Sequence, residues 1–202
     1  MTIQLVEEDL RQRFVSVCQS ADADKPLLLT TTQTGAEVPV LNLDRLWHKA
    51  AHLKNTSELI LEAVRRYANV EQNRIDTLVV LTSAIGSFGP LPYTGIVAKE
   101  LNLDLVVANE CTMGELTVYP QDIAQTKLRK RNILLFKDGI LRGSSISRAV
   151  RLIDALDGNT QCILILVDID NPTDTARQIM QNVPTIEFLL GKQLGLARKG
   201  NQ

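Results

Sequence analysis

Histidine and cysteine, which supply many catalytic and metal sites, are scarce in this chain of 202 residues. The two histidines are His48 and His52, and the three cysteines are Cys18, Cys111 and Cys162, none of them in a C-x-x-C pair. Any zinc site or histidine-based triad would have to be drawn from this short set. An odd number of widely spaced cysteines is typical of free thiols in a reducing compartment.

An excess of charge of either sign is also lacking. Lys and Arg number 22 and Asp and Glu number 23, which gives a formal charge of -1. A protein that binds nucleic acid through a broad basic face needs clustered cations, so we expect no nucleic-acid partner. The sequence has no apolar run near the roughly 20 residues that cross a bilayer, and its start does not resemble a secretory signal. We therefore expect a cytoplasmic protein without membrane association.

Short apolar runs alternate with segments of helical spacing along most of the chain. Strands that are apolar on both faces are typical of a parallel sheet covered by helices. Repeated strand-helix-strand order predicts an α/β fold with a doubly wound, mainly parallel sheet. The predicted strands are residues 77–81, 104–108, 133–136 and 162–167.

The first 55 residues are less regular than the rest. Residues 7–20 have helical spacing, and residues 27–43 form two extended segments around Thr34-Gly35, which predicts a hairpin. We expect residues 1–55 to form an N-terminal helix and a small hood on an α/β core of residues 56–202, as one compact domain.

The loop that follows the first predicted strand is a candidate ligand site, because open α/β sheets bind ligands beyond the carboxyl ends of their strands. Residues 82–90 are mostly small, so backbone amides there can approach a ligand closely. The candidate contact residues are Thr82, Ser83, Ala84, Gly86 and Ser87.

A second loop, residues 137–145, leads from the third predicted strand directly into a helix. Amides at a helix N-terminus, with two serine hydroxyls beside them, favour an anion, and a strand-end aspartate can accept from a sugar hydroxyl. A 5′-phosphoribosyl group matches that pair, but an ordinary helix cap and a loop-capping aspartate are the commoner explanation of the same residue types. The candidate phosphate- and ribose-binding residues are Asp138, Arg142, Gly143, Ser144 and Ser145.

Ile133-Leu134-Leu135-Phe136, then Lys137-Asp138, Gly139-Ile140 and a loop rich in Gly and Ser form a signature of apolar strand, acidic position and phosphate loop. Val38-Pro39-Val40 upstream matches a hood strand, and Val183-Pro184-Thr185-Ile186 downstream matches a late strand. In this order and spacing, residues 28–194 resemble the type I phosphoribosyltransferase family, most closely its orotate phosphoribosyltransferase branch.

The resemblance implies a ligand, a reaction and an assembly. The ligand is phosphoribosyl diphosphate or a nucleoside monophosphate, and an active enzyme would transfer the ribosyl group to or from a nitrogenous base, with Mg²⁺ bound through the ligand diphosphate. The protein would be a homodimer. The resemblance implies that the loop ending at Ser145 binds the 5′-phosphate, that Asp138 binds the ribose, and that the loop after Leu81 binds the pyrophosphate.

The chain departs from that family where catalysis requires cations. Family members carry an arginine-lysine pair after the third strand, then a loop with lysines and a histidine. Here residues 107–110 read VANE, residues 111–125 contain no Lys, Arg or His, and Lys137 replaces an acid. Cations stabilise charge on a departing pyrophosphate. We assign no catalytic residue, and a catalytically silent relative, acting as a nucleotide sensor or oligomeric partner, is the alternative function; a purely structural protein is a third.

Several other residues have a functional and a structural interpretation. His48 and His52 have the spacing of a two-histidine metal face, but no third ligand lies near in sequence, so we expect a surface or hood-packing role for them. The basic cluster at residues 127–131 is expected to form a solvated turn rather than a nucleotide or RNA site. Trp47 and Tyr93 are expected to be packing residues.

Overall fold

The computed structural model describes residues 3–22, 28–33, 36–83, 89–110, 116–119, 128–140, 143–168 and 174–190. The helices are α1 Glu8–Asp22, α2 Ala50–Ala63, α3 Leu91–Glu100, α4 Ser144–Ala155 and α5 Asp174–Asn182. The strands are β1 Ile3–Leu5, β2 Leu28–Gln33, β3 Ala36–Leu41, β4 Thr77–Ser83, β5 Asp104–Glu110, β6 Leu116–Tyr119, β7 Asn132–Ile140, β8 Asn159–Asp168 and β9 Thr185–Leu190. None of the helices within these ranges combines the length and apolar character that a membrane crossing requires.

One sheet of seven strands forms the centre of the molecule. Its strand order is β1-β9-β8-β7-β4-β5-β6, and every neighbouring pair is parallel except β5 and β6. The four predicted strands correspond to β4, β5, β7 and β8, which confirms the mainly parallel sheet. The loop expected over residues 111–125 is wrong at residues 116–119, where β6 pairs with β5 as an antiparallel edge strand.

Helices cover both faces of this sheet. Leu78 and Val80 of β4 join a core with α1, α2 and α3, while Val79 and Leu81 join a second core with α4 and α5. Successive side chains of a strand point to opposite faces, so a strand covered on both sides must be apolar throughout. The doubly wound arrangement predicted from the apolar runs is thus confirmed.

The N-terminal region supplies a hairpin and part of the main core. β2 and β3 pair antiparallel in a separate two-stranded sheet, which confirms the predicted hairpin. Phe14 of α1 lies 5.1 Å from Phe188 of β9, ring centroid to ring centroid, so α1 packs on the sheet itself. A 3-10 turn, Leu43–Leu46, connects β3 to the segment before α2. The domain boundary at residue 55 stays a prediction; that residue lies within α2.

Two of the three cysteines, Cys18 and Cys162, lie in the described part of the chain, and both are buried and outside any disulfide. Cys162 on β8 is 1% exposed, and burial raises the pKa of its thiol to about 12. A thiol with so high a pKa stays protonated and is a poor nucleophile. The predicted core position of Cys162 is confirmed, and Cys111 lies outside the described residues.

Two glycines, Gly158 just after α4 and Gly95 within α3, provide a matched pair of stability measurements. A methyl group at Gly158 would come within 2.8 Å of Ile153 Cγ2 and 2.9 Å of Leu128 O. We expect Gly158→Ala to lower the free energy of unfolding by about 1–3 kcal/mol, because the closely packed surroundings must shift. A methyl group at Gly95 in α3 would meet no neighbouring element of the described residues within 4 Å. Gly95→Ala should therefore stabilise the protein by about 0.5–1 kcal/mol. Urea unfolding measures both, and equal effects would contradict the predicted close contacts at Gly158.

Candidate functional site

β4 and β7 are neighbouring strands from which the chain continues in opposite directions across the sheet. The chain leaves β4 through α3 to reach β5 on one side, and leaves β7 through α4 to reach β8 on the other. Because α3 and α4 lie on opposite faces, the region beyond these strand ends, called here the crevice, is where doubly wound sheets bind ligands. Leu81 pairs with Lys137, so Thr82 and Asp138 follow at one level of the sheet. The structure thus brings the first residues of the two predicted loops close together.

The N-terminus of α4 borders this crevice. Gly143 is its N-cap residue, with φ 70° and ψ 4°, and no side chain makes a capping hydrogen bond. This left-handed conformation suits glycine. Ser144 is exposed, Ser145 is half-buried, and both lie inside the first turn rather than at the cap position. Gly143 therefore occupies the cap position itself, where glycine is an ordinary residue, and the cap interpretation of Gly-Ser-Ser stays open. The first-turn amides of a helix also favour an anion, so the two interpretations are compatible.

Asp138 lies at the carboxyl end of β7 and is held by two donors. The amide of Gly139 donates to its Oδ1 at 2.8 Å, and the Lys137 ammonium lies 3.2 Å from the same oxygen. Lys137 is 8% exposed, and its Nζ also lies 3.5 Å from the carbonyl oxygen of Leu81 on β4. This lysine therefore connects β7 to β4 through the Leu81 carbonyl, while its ion pair with Asp138 lies within β7.

Tyr93 of α3 lies beneath the same end of the sheet. Its side chain is fully buried, and its ring packs edge-on against Phe136 with centroids 6.0 Å apart, which confirms the predicted packing role. Burial raises the pKa of the Tyr93 hydroxyl well above its ordinary value, and the negative charges of Asp138 and Asp44 raise it further. The phenol therefore stays protonated. Asp44 belongs to the 3-10 turn below the hairpin, so the base of the hood approaches the site.

Polar residues also end the neighbouring strands. Thr82 of β4 is 5% exposed and pairs in register with Asn109 of β5. The Oδ1 atom of Asn109 is buried without a hydrogen-bond partner among the described residues. Asp168 ends β8 on the other side of Asp138. Asn109 was not a predicted site residue, although its position directly after an apolar run was a signal of the kind that identified Asp138.

The described residues include only part of the predicted site. Thr82, Asp138, Gly143, Ser144 and Ser145 are described and lie along the carboxyl edge of β4 and β7 or at the start of α4. Only the backbone of Ser83 is described, as the last residue of β4. The predicted residues that lie outside the described ranges are Ala84, Gly86, Ser87 and Arg142. Their contacts with a ligand stay predictions.

The basic cluster lies at the opposite end of the sheet. Arg131 precedes β7, with its guanidinium nitrogens 3.4 Å from Asp76 Oδ2 and 3.8 Å from Asp104 Oδ2. Arg129 lies 3.6 Å from Asp157 Oδ2. These carboxylates compensate much of the positive charge, so the geometry supports a solvated turn rather than an anion site.

The two histidines lie side by side, His48 just before α2 and His52 in its first turn. His52 is 5% exposed, and its Nε2 lies 3.1 Å from the hydroxyl of Ser20. The Nδ1 atom of His48 lies 2.7 Å from the carbonyl oxygen of Arg45, and the two imidazole centroids are 5.4 Å apart. The part of the chain that the structure describes contains no group of three or more metal-ligating side chains. The contacts of His52 support the packing role.

A divalent cation held by protein carboxylates does not fit the residues at this crevice. Asp138 is the carboxylate at the end of β7, and one of its oxygens already accepts from Gly139 and pairs with the Lys137 ammonium. Mg²⁺ requires near-octahedral oxygen coordination at about 2.1 Å, and a neighbouring ammonium repels it. The predicted Mg²⁺ would have to be carried by the ligand alone.

Comparison with solved structures identifies the fold, whereas no protein-family model and no curated protein matches the sequence. Orotate phosphoribosyltransferase from Aeropyrum pernix has a TM-score of 0.60 at 14% identity over 90% of this chain and 95% of that chain. Adenine phosphoribosyltransferase from Trypanosoma brucei, in complex with AMP, pyrophosphate and ribose-5-phosphate, has a TM-score of 0.62 at 16% identity over 97% of this chain and 86% of that chain. The enzyme from Thermoanaerobacter pseudethanolicus has a TM-score of 0.60 at 12% identity over 84% and 99%. The chain therefore has the phosphoribosyltransferase fold, as its sequence predicted.

Proposed function

We propose that this protein binds a phosphorylated ribose, either a nucleoside monophosphate or phosphoribosyl diphosphate, in the crevice between β4 and β7. The proposal rests on the position of the α4 N-terminus, which follows Asp138 closely in the chain. Both lie next to the pair of strands, β4 and β7, from which the chain continues in opposite directions across the sheet. The amides of Ser144 and Ser145 and the side chain of Arg142 would bind the 5′-phosphate. Asp138 would accept a hydrogen bond from a ribose hydroxyl.

The ligand class is supported by a structural neighbour. The phosphoribosyltransferase from Trypanosoma brucei was crystallised with AMP, pyrophosphate and ribose-5-phosphate, and its fold covers almost all of this chain. A fold alone does not determine function, because one fold carries many sites. In this chain the N-terminus of α4 and the carboxylate of Asp138 support the proposal, because both follow β7 at the carboxyl edge of the sheet.

Two functions remain compatible with that ligand, and the sequence favours binding without turnover. Transfer from phosphoribosyl diphosphate breaks the bond between the ribose C1 and the diphosphate oxygen, and the bond from C1 to a base nitrogen replaces it. The negative charge on the released diphosphate needs cationic stabilisation. Residues 107–127 contain a single cation, Lys127, so we propose that catalysis is absent or slow and that the protein senses a nucleotide or acts as a partner in a homodimer.

A charge introduced at the phosphate site tests binding. We expect Ser145→Asp to weaken the binding of ribose 5-phosphate at least about tenfold in calorimetry, because a carboxylate in the first turn of α4 occupies and repels the phosphate position. Acidic residues in a first turn stabilise a helix, so the loss would not reflect unfolding. Ser16→Asp on the exposed face of α1 makes the same charge change and should leave binding unchanged. Equal binding by both variants would contradict the proposed phosphate site.

Turnover is measured separately. Incubation with phosphoribosyl diphosphate, Mg²⁺ and each of several purine and pyrimidine bases should release no pyrophosphate above the level of a protein-free control. Pyrophosphate release that depends on one base would reject the silent function and establish transfer. Sedimentation equilibrium with and without ribose 5-phosphate tests the proposed homodimer.

A further inference from the structure

We infer that Lys137 is a built-in cation that replaces a divalent metal ion at the ribose, so that the site takes a ribose 5-phosphate monoester without metal rather than a metal-bound diphosphate. This inference rests on the proposed function, since it concerns the ligand of the same crevice. It differs from the sequence-based expectation that Mg²⁺ accompanies the ligand.

The position of the Lys137 ammonium is fixed by its surroundings. The residue is 8% exposed, its Nζ lies 3.2 Å from Asp138 Oδ1, and it lies 3.5 Å from the carbonyl oxygen of Leu81. A buried ammonium must be paired and hydrogen-bonded, since water no longer solvates it. Lys137 therefore belongs to the folded site and is not a surface lysine that a ligand or ion can push aside.

This arrangement disfavours a metal ion at Asp138 Oδ1, which already has two donors. An ion that shared Oδ1 would lie at most about 5 Å from the Lys137 ammonium, because Mg–O bonds are about 2.1 Å and the ion pair measures 3.2 Å. Charges of the same sign at that distance repel strongly where water is partly excluded. The Asp138 charge is neutralised by the lysine, and Oδ2 is left for a ribose hydroxyl.

The remaining charges match one phosphate better than three. Lys137 and Asp138 compensate each other, so among the described residues of the site the N-terminus of α4 is left to attract the ligand's negative charge. A phosphate monoester brings about two negative charges. Phosphoribosyl diphosphate brings several more at its C1 end, and residues 111–125 supply no Lys, Arg or His to neutralise them. Ribose 5-phosphate and nucleoside monophosphates are therefore the ligand class that the site favours.

The wild-type protein provides the first test. Calorimetry with ribose 5-phosphate in millimolar MgCl₂ and in EDTA should give dissociation constants within about twofold of each other, and phosphoribosyl diphosphate should bind no more tightly than ribose 5-phosphate. Binding of phosphoribosyl diphosphate that is at least about tenfold tighter and requires MgCl₂ would overturn the inference while supporting the proposed function. If neither compound binds, both the inference and the proposed function are wrong.

Variants of Lys137 provide the second test. Lys137→Glu should weaken ribose 5-phosphate binding at least about tenfold in EDTA, and MgCl₂ should restore most of it, because a carboxylate pair can then hold the ion. Lys137→Met keeps the length of the side chain without its charge and should weaken binding equally with and without metal. Lys99→Met, on the exposed surface of α3, is the matched control and should bind like the wild type. Lys137→Glu that binds in EDTA as tightly as the wild type would overturn the inference.

Discussion

Replacement of Phe136 by alanine will lower the free energy of unfolding by about 3–5 kcal/mol. Phe136 is 1% exposed on the central strand β7, in the core that α1, α2 and α3 share with the sheet. Its loss removes apolar surface from the core and leaves a cavity, because the rigid neighbouring strands cannot close on it. It also removes the edge-on contact with Tyr93, whose ring packs 6.0 Å away. Urea unfolding followed by circular dichroism measures the change.

Two further variants separate packing from other effects. Phe136→Leu keeps most of the volume and should lower the free energy of unfolding by less than about 1.5 kcal/mol. Leu5→Ala removes a similar apolar group on β1, but Leu5 is 38% exposed, so we expect a loss below about 1 kcal/mol. If Phe136→Ala destabilises the protein no more than Leu5→Ala does, Phe136 is not in a closely packed core. Because Phe136 directly precedes Lys137 and Asp138, we also expect Phe136→Ala to weaken ribose 5-phosphate binding.

The central strands could be predicted from sequence because their physical requirement is simple. β4, β7 and β8 are covered by helices on both faces, and only an uninterrupted apolar run satisfies that environment. Edge strands have no such requirement. β1 contains three residues, two of them exposed, and β6 contains four. Strands this short give no apolar run or alternation by which a sequence could be told from that of a loop.

The site residues divide in the same way. Asp138, Ser144 and Ser145 follow a recognisable strand within a few positions, so chain order alone brings them near its carboxyl end. The contact between Lys137 and the Leu81 carbonyl joins residues 56 positions apart and depends on β7 pairing with β4, not with β5. Asn109 enters the site for the same reason. Strand order within the sheet depends on long-range packing, and the sequence pattern does not specify it.

A buried carboxyl on β9 gives the second large effect. Glu187 is 3% exposed, between β8 and β1, and its Oε1 makes no hydrogen bond to any of the described residues. Burial raises the pKa of this carboxyl from 4.5 to about 7, with a further contribution from the negative charge of Asp168. The folded state therefore favours the neutral acid. We expect Glu187→Gln, which keeps the shape and cannot ionise, to stabilise the protein by up to about 3 kcal/mol above neutral pH.

The pH dependence distinguishes this cause from a general improvement in packing. The unfolded chain releases the Glu187 proton near pH 4.5, while the folded protein keeps it until about pH 7. The free energy of unfolding of the wild type therefore has its full contribution from the neutral Glu187 carboxyl below pH 4.5. This contribution decreases as pH rises towards about 7 and is lost above that pH. Urea unfolding of wild type and Glu187→Gln should give nearly equal free energies near pH 4.5 and a difference that grows to its maximum by about pH 8. Glu58→Gln, at an exposed position of α2, should show no comparable growth. A difference between Glu187→Gln and wild type that stays constant with pH would mean that folding does not raise the pKa of Glu187, because only a proton taken up on folding makes the two curves diverge.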